Sequence, residues 1–184
     1  MNTQQIEHVL KRDPIVGVDF RGVFARDQIP YFESGTCVVN TAPSTQSCGH
    51  WIALYLTHDK AEYFDSYGKE TPRFLTKIWN KKSWISNPVA LQSPLSAVCG
   101  QYCIYYLLHR VRGFPMSLIF LDFGADVDYN DRAVYEFVQN RYDFDNLKLL
   151  DTGGFITQLA KAVRASEIRV DGHSAPRRMA RLGK

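Results

Sequence analysis

No stretch of this 184-residue chain approaches the ~20 apolar residues of a membrane helix, so no membrane span is expected. The run from Met1 to Glu7 lacks a basic region followed by an apolar one, and no secretory signal is expected there. Cysteine is scarce: four residues do not make a disulfide scaffold, which points to the reduced cytosol or nucleus and asks at least one thiol for another purpose. There is no internal repeat and no clear domain boundary. Charge of one sign is missing as well, with a net value of +3, 22% charged residues and 45% hydrophobic ones. That is the composition of a globular chain, long enough to bury a core without staples.

The charge that is present is unevenly placed. Residues 161–184 carry Lys161, Arg164, Arg169, Arg177, Arg178, Arg181 and Lys184 against Glu167 and Asp171, a net +5, while residues 1–160 sum to −2. The expected organisation is one domain over 1–171 and a basic, flexible tail over 172–184. Such a tail attracts polyanions through counterion release; the plainer reading is a solvated arm without interleaved aromatics.

Periodicity predicts a short helix over Thr3–Leu10 with Thr3 as its cap, irregular chain over 13–35, and a strand over Thr36–Asn40. His50–Thr57 is nearly continuously apolar, as expected of a strand buried on both faces. Ala61–Asp65 is its hairpin partner. Pro72–Lys82 reads as a helix, Val89–Gln92 as a short strand, and Ala97–Arg112 as the strongest helix, stopped by Gly113-Phe114-Pro115. Helices over Asp131–Tyr142, capped by Asn130 or Asp131, and Thr152–Ala165 complete the reading.

Three residues that could do chemistry lie at element ends. His50 opens the long strand, Asp65 closes its partner, and Cys99 lies at the start of the strongest helix. A thiol at a helix N-terminus feels the positive end of the dipole, which favours the thiolate. An imidazole beside it strengthens that bias, and a carboxylate beyond the imidazole fixes its tautomer. The Gln92 amide and the Cys99 N–H could together receive an oxyanion.

Taken singly, each residue has a simpler explanation: a buried thiol, a strand-end imidazole, a turn carboxylate, a polar strand end. Cys103, one helical turn past Cys99, reads as core, and His58 and His109 as ordinary hydrogen-bonding groups. A zinc site from Cys48, His50, Cys99 and Cys103 has one suitable spacing, Cys99 to Cys103. The acidic run Asp122, Asp126, Asp128 and Asp131 lacks the calcium-loop pattern and reads as a solvated loop.

The local strings add specificity. Gly49-His50-Trp51 precedes the apolar strand, and Tyr63-Phe64-Asp65-Ser66-Tyr67-Gly68 follows it. Then comes Leu91-Gln92-Ser93-Pro94-Leu95-Ser96-Ala97-Val98-Cys99-Gly100-Gln101-Tyr102-Cys103. This ordered set resembles the adenovirus-type, adenain-like branch of the cysteine-peptidase clan that includes the SUMO and NEDD8 peptidases. The resemblance covers about residues 35–112. The step from Gln92 to Cys99 is most like adenovirus proteases and their relatives in virophages and Maverick/Polinton-type transposons. Adenoviral enzymes typically carry Glu where this chain has Asp65. No cysteine lies between Asp65 and Gln92 to anchor an activating peptide by a disulfide.

The resemblance implies an α+β fold, a small mixed sheet flanked by helices with the nucleophile at the start of a central helix. It implies a thiol endopeptidase with Cys99 as nucleophile, His50 as base, Asp65 as third member and Gln92 as oxyanion donor, and Gly49 and Trp51 on the substrate side. The substrates it implies are viral capsid and other structural precursors cut after glycine, at Gly-Gly or Gly-X sites. No cofactor or metal is required; stimulation by DNA, through the basic tail, or by a viral peptide stays open. A monomer acting in the virion and the host-cell interior is expected. The alternatives are a peptidase that deconjugates ubiquitin-like proteins and a non-catalytic nucleic-acid-binding module.

Overall fold

The apolar run that starts at His50 is covered on both faces in the computed structural model, which describes residues 1–143 and the backbone of Lys148–Leu149. In chain order, α1 (Thr3–Arg12), α2 (Val16–Asp19) and β1 (Phe20–Ala25) lead to β2 (Gly35–Asn40), β3 (Trp51–Leu56) and β4 (Lys60–Phe64). Then come α3 (Arg73–Ile78), β5 (Ser83–Ser86), α4 (Cys99–Arg110), α5 (Met116–Ile119) and α6 (Val127–Arg141). A short pair, β6 (Tyr142–Asp143) and β7 (Lys148–Leu149), follows.

The main sheet has five strands in sequence order. The central pairs, β2–β3 and β3–β4, are antiparallel, and the outer pairs, β1–β2 and β4–β5, are parallel. This is the mixed sheet of an α+β fold.

Strand alternation divides the core in two. Trp51 and Ala53 join the cluster built with α1, α4 and α6 on one face. Ile52, Leu54 and Leu56 join Leu75 and Trp79 on the other. With cover on both sides, β3 needs no polar face, which is why its sequence reads as an unbroken apolar run. The same reason explains α4, which is buried from Gly100 through His109. One ion pair ties α4 to the sheet: Arg110 meets Glu62 of β4 bidentately at 2.7 and 2.9 Å, and the Tyr106 hydroxyl donates to the same carboxylate at 2.6 Å.

Several expectations need correcting. Asn2, not Thr3, caps α1; its side chain accepts from Gln5 N–H in a reciprocal capping box. The stretch 13–35 is not irregular throughout but contains α2 and β1. Strand β1 escapes a pattern search because it carries Arg21 outward and is broken in register between Phe20 and Gly22. Helix α3 stops at Ile78, well before Lys82, and β5 follows. Val89–Gln92 joins no sheet and bends at Val89 and Gln92. Helix α6 begins earlier, capped by Asp126 through the N–H groups of Asp128 and Tyr129. The acidic run is no solvated loop: Asp126 caps, Asp122 accepts from the Tyr105 hydroxyl at 2.8 Å, and Asp131 is buried. The helix expected over Thr152–Ala165 and the tail expected over 172–184 lie outside the described residues.

Candidate active site

The start of β3, the end of β4 and the start of α4 meet at one point. His50 immediately precedes β3 and Asp65 immediately follows β4, so the antiparallel hairpin brings them side by side although fifteen residues separate them. His50 Nε2 lies 2.6 Å from Asp65 Oδ1. The other ring nitrogen, Nδ1, is thereby left for Cys99, with which the imidazole also hydrogen-bonds. Asp65 is 1% exposed.

Electrostatics follow from this contact. Burial pulls the His50 imidazole down, but hydrogen bonds to Asp65 and Cys99 outweigh it and hold the pKa up at about 9. Burial would raise the Cys99 thiol; the hydrogen bond from His50, the Trp51 backbone N–H and the imidazolium charge overcome that and lower it. Asp65 is likewise lowered against burial by His50, by Tyr67 N–H and by the Tyr63 hydroxyl. Both shifts favour pairing of a thiolate with an imidazolium. Cys103, one turn further along α4, is buried and its thiol is raised well above the ordinary range, so it stays protonated. Cys37 is buried with its thiol raised, and Cys48 is exposed.

Helix α4 opens without a side-chain cap: Val98 occupies the N-cap position and makes no capping bond. Its first-turn N–H groups, Cys99 included, are free of a competing side-chain acceptor at the positive end of the dipole.

Gln92 occupies the adjoining buried segment. Its Oε1 accepts from Ser66 Oγ at 2.6 Å, and its Nε2 lies 3.0 Å from both the carbonyl and the hydroxyl oxygen of Ser96. To receive an oxyanion, the amide must redirect one N–H from Ser96. The structure thus brings Asp65 and Cys99 each to the His50 ring and leaves the Gln92 amide engaged with Ser66 and Ser96.

Gly49 and Trp51 line a groove of about 480 Å³ whose other wall includes Met1, Asn2 and the Pro43–Cys48 loop. The Trp51 ring is 8% exposed and its indole N–H donates to the Met1 carbonyl at 3.3 Å. Gly49 is required by close approach: a β-carbon there would stand 1.9 Å from Asn40 Oδ1. No three His, Cys, Asp or Glu side chains stand close enough to hold a metal ion among the described residues.

Sequence reasoning passed over two residues here. Tyr67 stacks on the His50 ring with centroids 4.5 Å apart and planes 26° apart, and its N–H donates to Asp65 Oδ1 at 2.8 Å. Asn87 clamps the Asp65 backbone from both sides. Tyr67 lies in the quoted string after Asp65 and could have been weighed as a ring near the imidazole. Asn87, before Pro88, carries no signal beyond that of a turn.

The sheet order, with α4 packed across β3 and Cys99 at its start, is a fold shared with a viral cysteine protease of known structure. Among solved structures, the ASFV pS273R protease superposes with a TM-score of 0.54 at 15% identity, over 72% of this chain and 65% of that one. This chain thus spans just under two thirds of that protease's length. The SUMO protease Ulp1, with its catalytic cysteine oxidised to a sulfinic acid, superposes at 0.41 with 13% identity, over 80% of this chain and 79% of that one. No family model matches the sequence, and no curated protein matches it.

Proposed function

We propose that the protein is a cysteine endopeptidase that cleaves viral structural precursor proteins after glycine. One observation carries the catalytic part: His50 holds Asp65 through Nε2 at 2.6 Å and Cys99 through its remaining nitrogen, at the uncapped start of α4. That arrangement favours the thiolate and keeps a proton on the imidazole for the leaving group.

The Cys99 thiolate attacks the scissile carbonyl carbon. The negative charge moves to the carbonyl oxygen, which the Cys99 N–H and a redirected Gln92 amide receive. As the C–N bond breaks, the His50 imidazolium gives its proton to the departing amine. The neutral imidazole then takes a proton from water, and the resulting hydroxide displaces the Cys99 sulfur from the acyl-enzyme. The thiolate–imidazolium pair is restored. Asp65 holds the ring in orientation throughout and stabilises its charge.

The preference for glycine rests on the groove lined by Gly49 and Trp51, the two chain neighbours of His50. Trp51 is fixed by burial and by its bond to Met1, so an acyl-side residue with a large side chain meets a wall that does not yield. The proposed setting is the virion and the interior of the infected cell.

The test is cleavage of the capsid precursor from the same genome by wild type and Cys99→Ala, with new ends mapped by mass spectrometry. New ends after glycine, absent with the variant, are the expected result. Cleavage confined to a ubiquitin-like protein's carboxyl-terminal extension would overturn the maturation role and keep the chemistry. An intact precursor together with a Cys99 inert to alkylation would overturn the protease reading itself.

A further inference from the structure

The segment Leu91–Ser93 carries Gln92, yet it belongs to no sheet, so its backbone polar groups must be met some other way. On one side, the N–H groups of Leu91 and Gln92 both donate to the Ser66 carbonyl, at 2.8 and 3.0 Å. On the other, side chains of α4 and α6 complete the hold. Asp131 Oδ2 accepts the Ser93 N–H at 3.2 Å. The Tyr102 hydroxyl lies 2.9 Å from the Leu91 carbonyl and 3.0 Å from Asp131 Oδ1, and its single proton serves one of them at a time. Asn130 Nδ2 donates to the Leu91 carbonyl at 3.2 Å and to the Gly124 carbonyl at 2.9 Å. Asp131, Tyr102 and Asn130 are all buried.

We propose that Asp131 is a positioning residue for the oxyanion donor: by holding Ser93 N–H and orienting Tyr102, it sets where the Gln92 amide stands. This rests on the protease reading given above. Its basis is geometric. Asp131 is a buried carboxylate on a helix outside the segment that carries the cysteine-histidine-acid motifs, and it reaches across to the residue next to Gln92. Oxyanion donors act only when held to within roughly half an ångström of the charge they receive. Ser66 fixes the Gln92 side of the segment and Asp131 fixes the Ser93 side. Without Asp131, the buried Ser93 N–H has no partner and the segment is free to drift.

Asp131 touches neither Cys99 nor His50 in any contact described above. Removing it should therefore weaken transition-state stabilisation while sparing the ion pair. The experiment compares wild type, Asp131→Ala, Asp131→Asn, Gln92→Ala and the double variant Gln92→Ala/Asp131→Ala. Each is assayed on a Gly-Gly peptide bearing an aminocoumarin leaving group and by the rate of Cys99 alkylation with iodoacetamide. Asp131→Ala is expected to lower kcat about tenfold, less than the ~100-fold for losing an oxyanion donor outright. KM should stay within about twofold and the alkylation profile should not move. Asp131→Asn keeps an acceptor for Ser93 N–H and should recover most of kcat, which also covers the case of an alanine variant that does not fold. In the Gln92→Ala background, Asp131→Ala should cost little more, since both act through one group.

Undiminished kcat in Asp131→Ala overturns the proposal. So does a full tenfold loss on top of Gln92→Ala, or an alkylation profile displaced along with kcat, either of which makes the role structural. A wild-type enzyme that alkylates at Cys99 but cleaves neither peptide nor precursor overturns the protease reading first, and this inference with it.

Discussion

Asn87 grips one residue, Asp65, from both sides: Oδ1 accepts the Asp65 N–H at 2.8 Å, and Nδ2 donates to the Asp65 carbonyl at 2.6 Å. The carboxylate that orients His50 is thus fixed through its own backbone by a side chain 1% exposed. Asn87→Ala leaves two buried backbone groups unmet. It should cost about 2–4 kcal/mol in chemical denaturation and lower kcat through a looser Asp65. Unchanged stability would mean that water replaces the amide at both positions.

The pH dependence of Cys99 reactivity should follow the ion pair. Alkylation rises with pH as thiolate forms, and here that rise should lie below the roughly 8.5 of a free thiol, because Cys99 is lowered by His50 and Trp51 N–H against burial. In His50→Ala the lowering partner is lost while burial remains, so the rise should move to higher pH. Peptide cleavage should in addition fall on the alkaline side as His50 loses its proton at about 9. The measurement belongs in a Cys48→Ser background, since Cys48 is exposed and would also react. Identical profiles with and without His50 would rule out the pair.

The ring of Tyr67 lies over the imidazole, a placement that favours the charged form by about 0.5–1 kcal/mol. Tyr67→Phe keeps the ring and loses only the long 3.4 Å contact of the hydroxyl with Ser96 O, so activity should change less than about twofold. Tyr67→Ala removes the ring and should lower the His50 pKa, visible as an earlier alkaline fall in the rate profile. A larger loss in the phenylalanine variant would give the hydroxyl a chemical part.

Glu62 and Arg110 join β4 to α4, the two elements that end or begin at Asp65 and Cys99. Their contact is bidentate at 2.7 and 2.9 Å, mostly buried, and shared with the Tyr106 hydroxyl. Glu62→Gln leaves a guanidinium without its counter-charge and should destabilise by about 3 kcal/mol, read from the urea midpoint. The Arg110 guanidinium also lies 4.2 Å from the Tyr55 ring centroid, so part of the cost should persist in the double variant Glu62→Gln/Arg110→Met as lost packing over that ring.

The central elements were legible because they are buried all round. Strand β3 and helix α4 announce themselves by apolar runs that only two-sided cover permits. The edges were not. Strand β5 presents Ser83 and Ser86 at an outer, parallel position where no alternation is demanded. Val89–Gln92 has strand-like residues, but its N–H groups go to Ser66 and its carbonyl to Tyr102 and Asn130, a tertiary arrangement that local pattern does not encode. At the site, the strings around His50, Asp65 and Cys99 singled out residues that the fold brings into contact. Asn87 and Asp131 were invisible: a lone Asn before proline and an Asp in an acidic run look like turn and surface until a partner far along the chain is known.

Ser66 follows the carboxylate that orients His50, and the same residue holds Leu91 and Gln92 through its carbonyl and the Gln92 side chain through its hydroxyl. The turn that carries Asp65 and the segment that carries Gln92 are therefore tied together at one residue. A substitution at position 66 removes the hydroxyl that fixes the Gln92 side chain but keeps the backbone carbonyl that holds Leu91 and Gln92, so it should reach the Gln92 amide while leaving the Asp65–His50 contact in place. For chemistry from outside, the tie offers a way to stop the reaction without competing for the sulfur: a molecule that prises the 65–68 turn away from Val89 and Gln92 disarms the centre from behind.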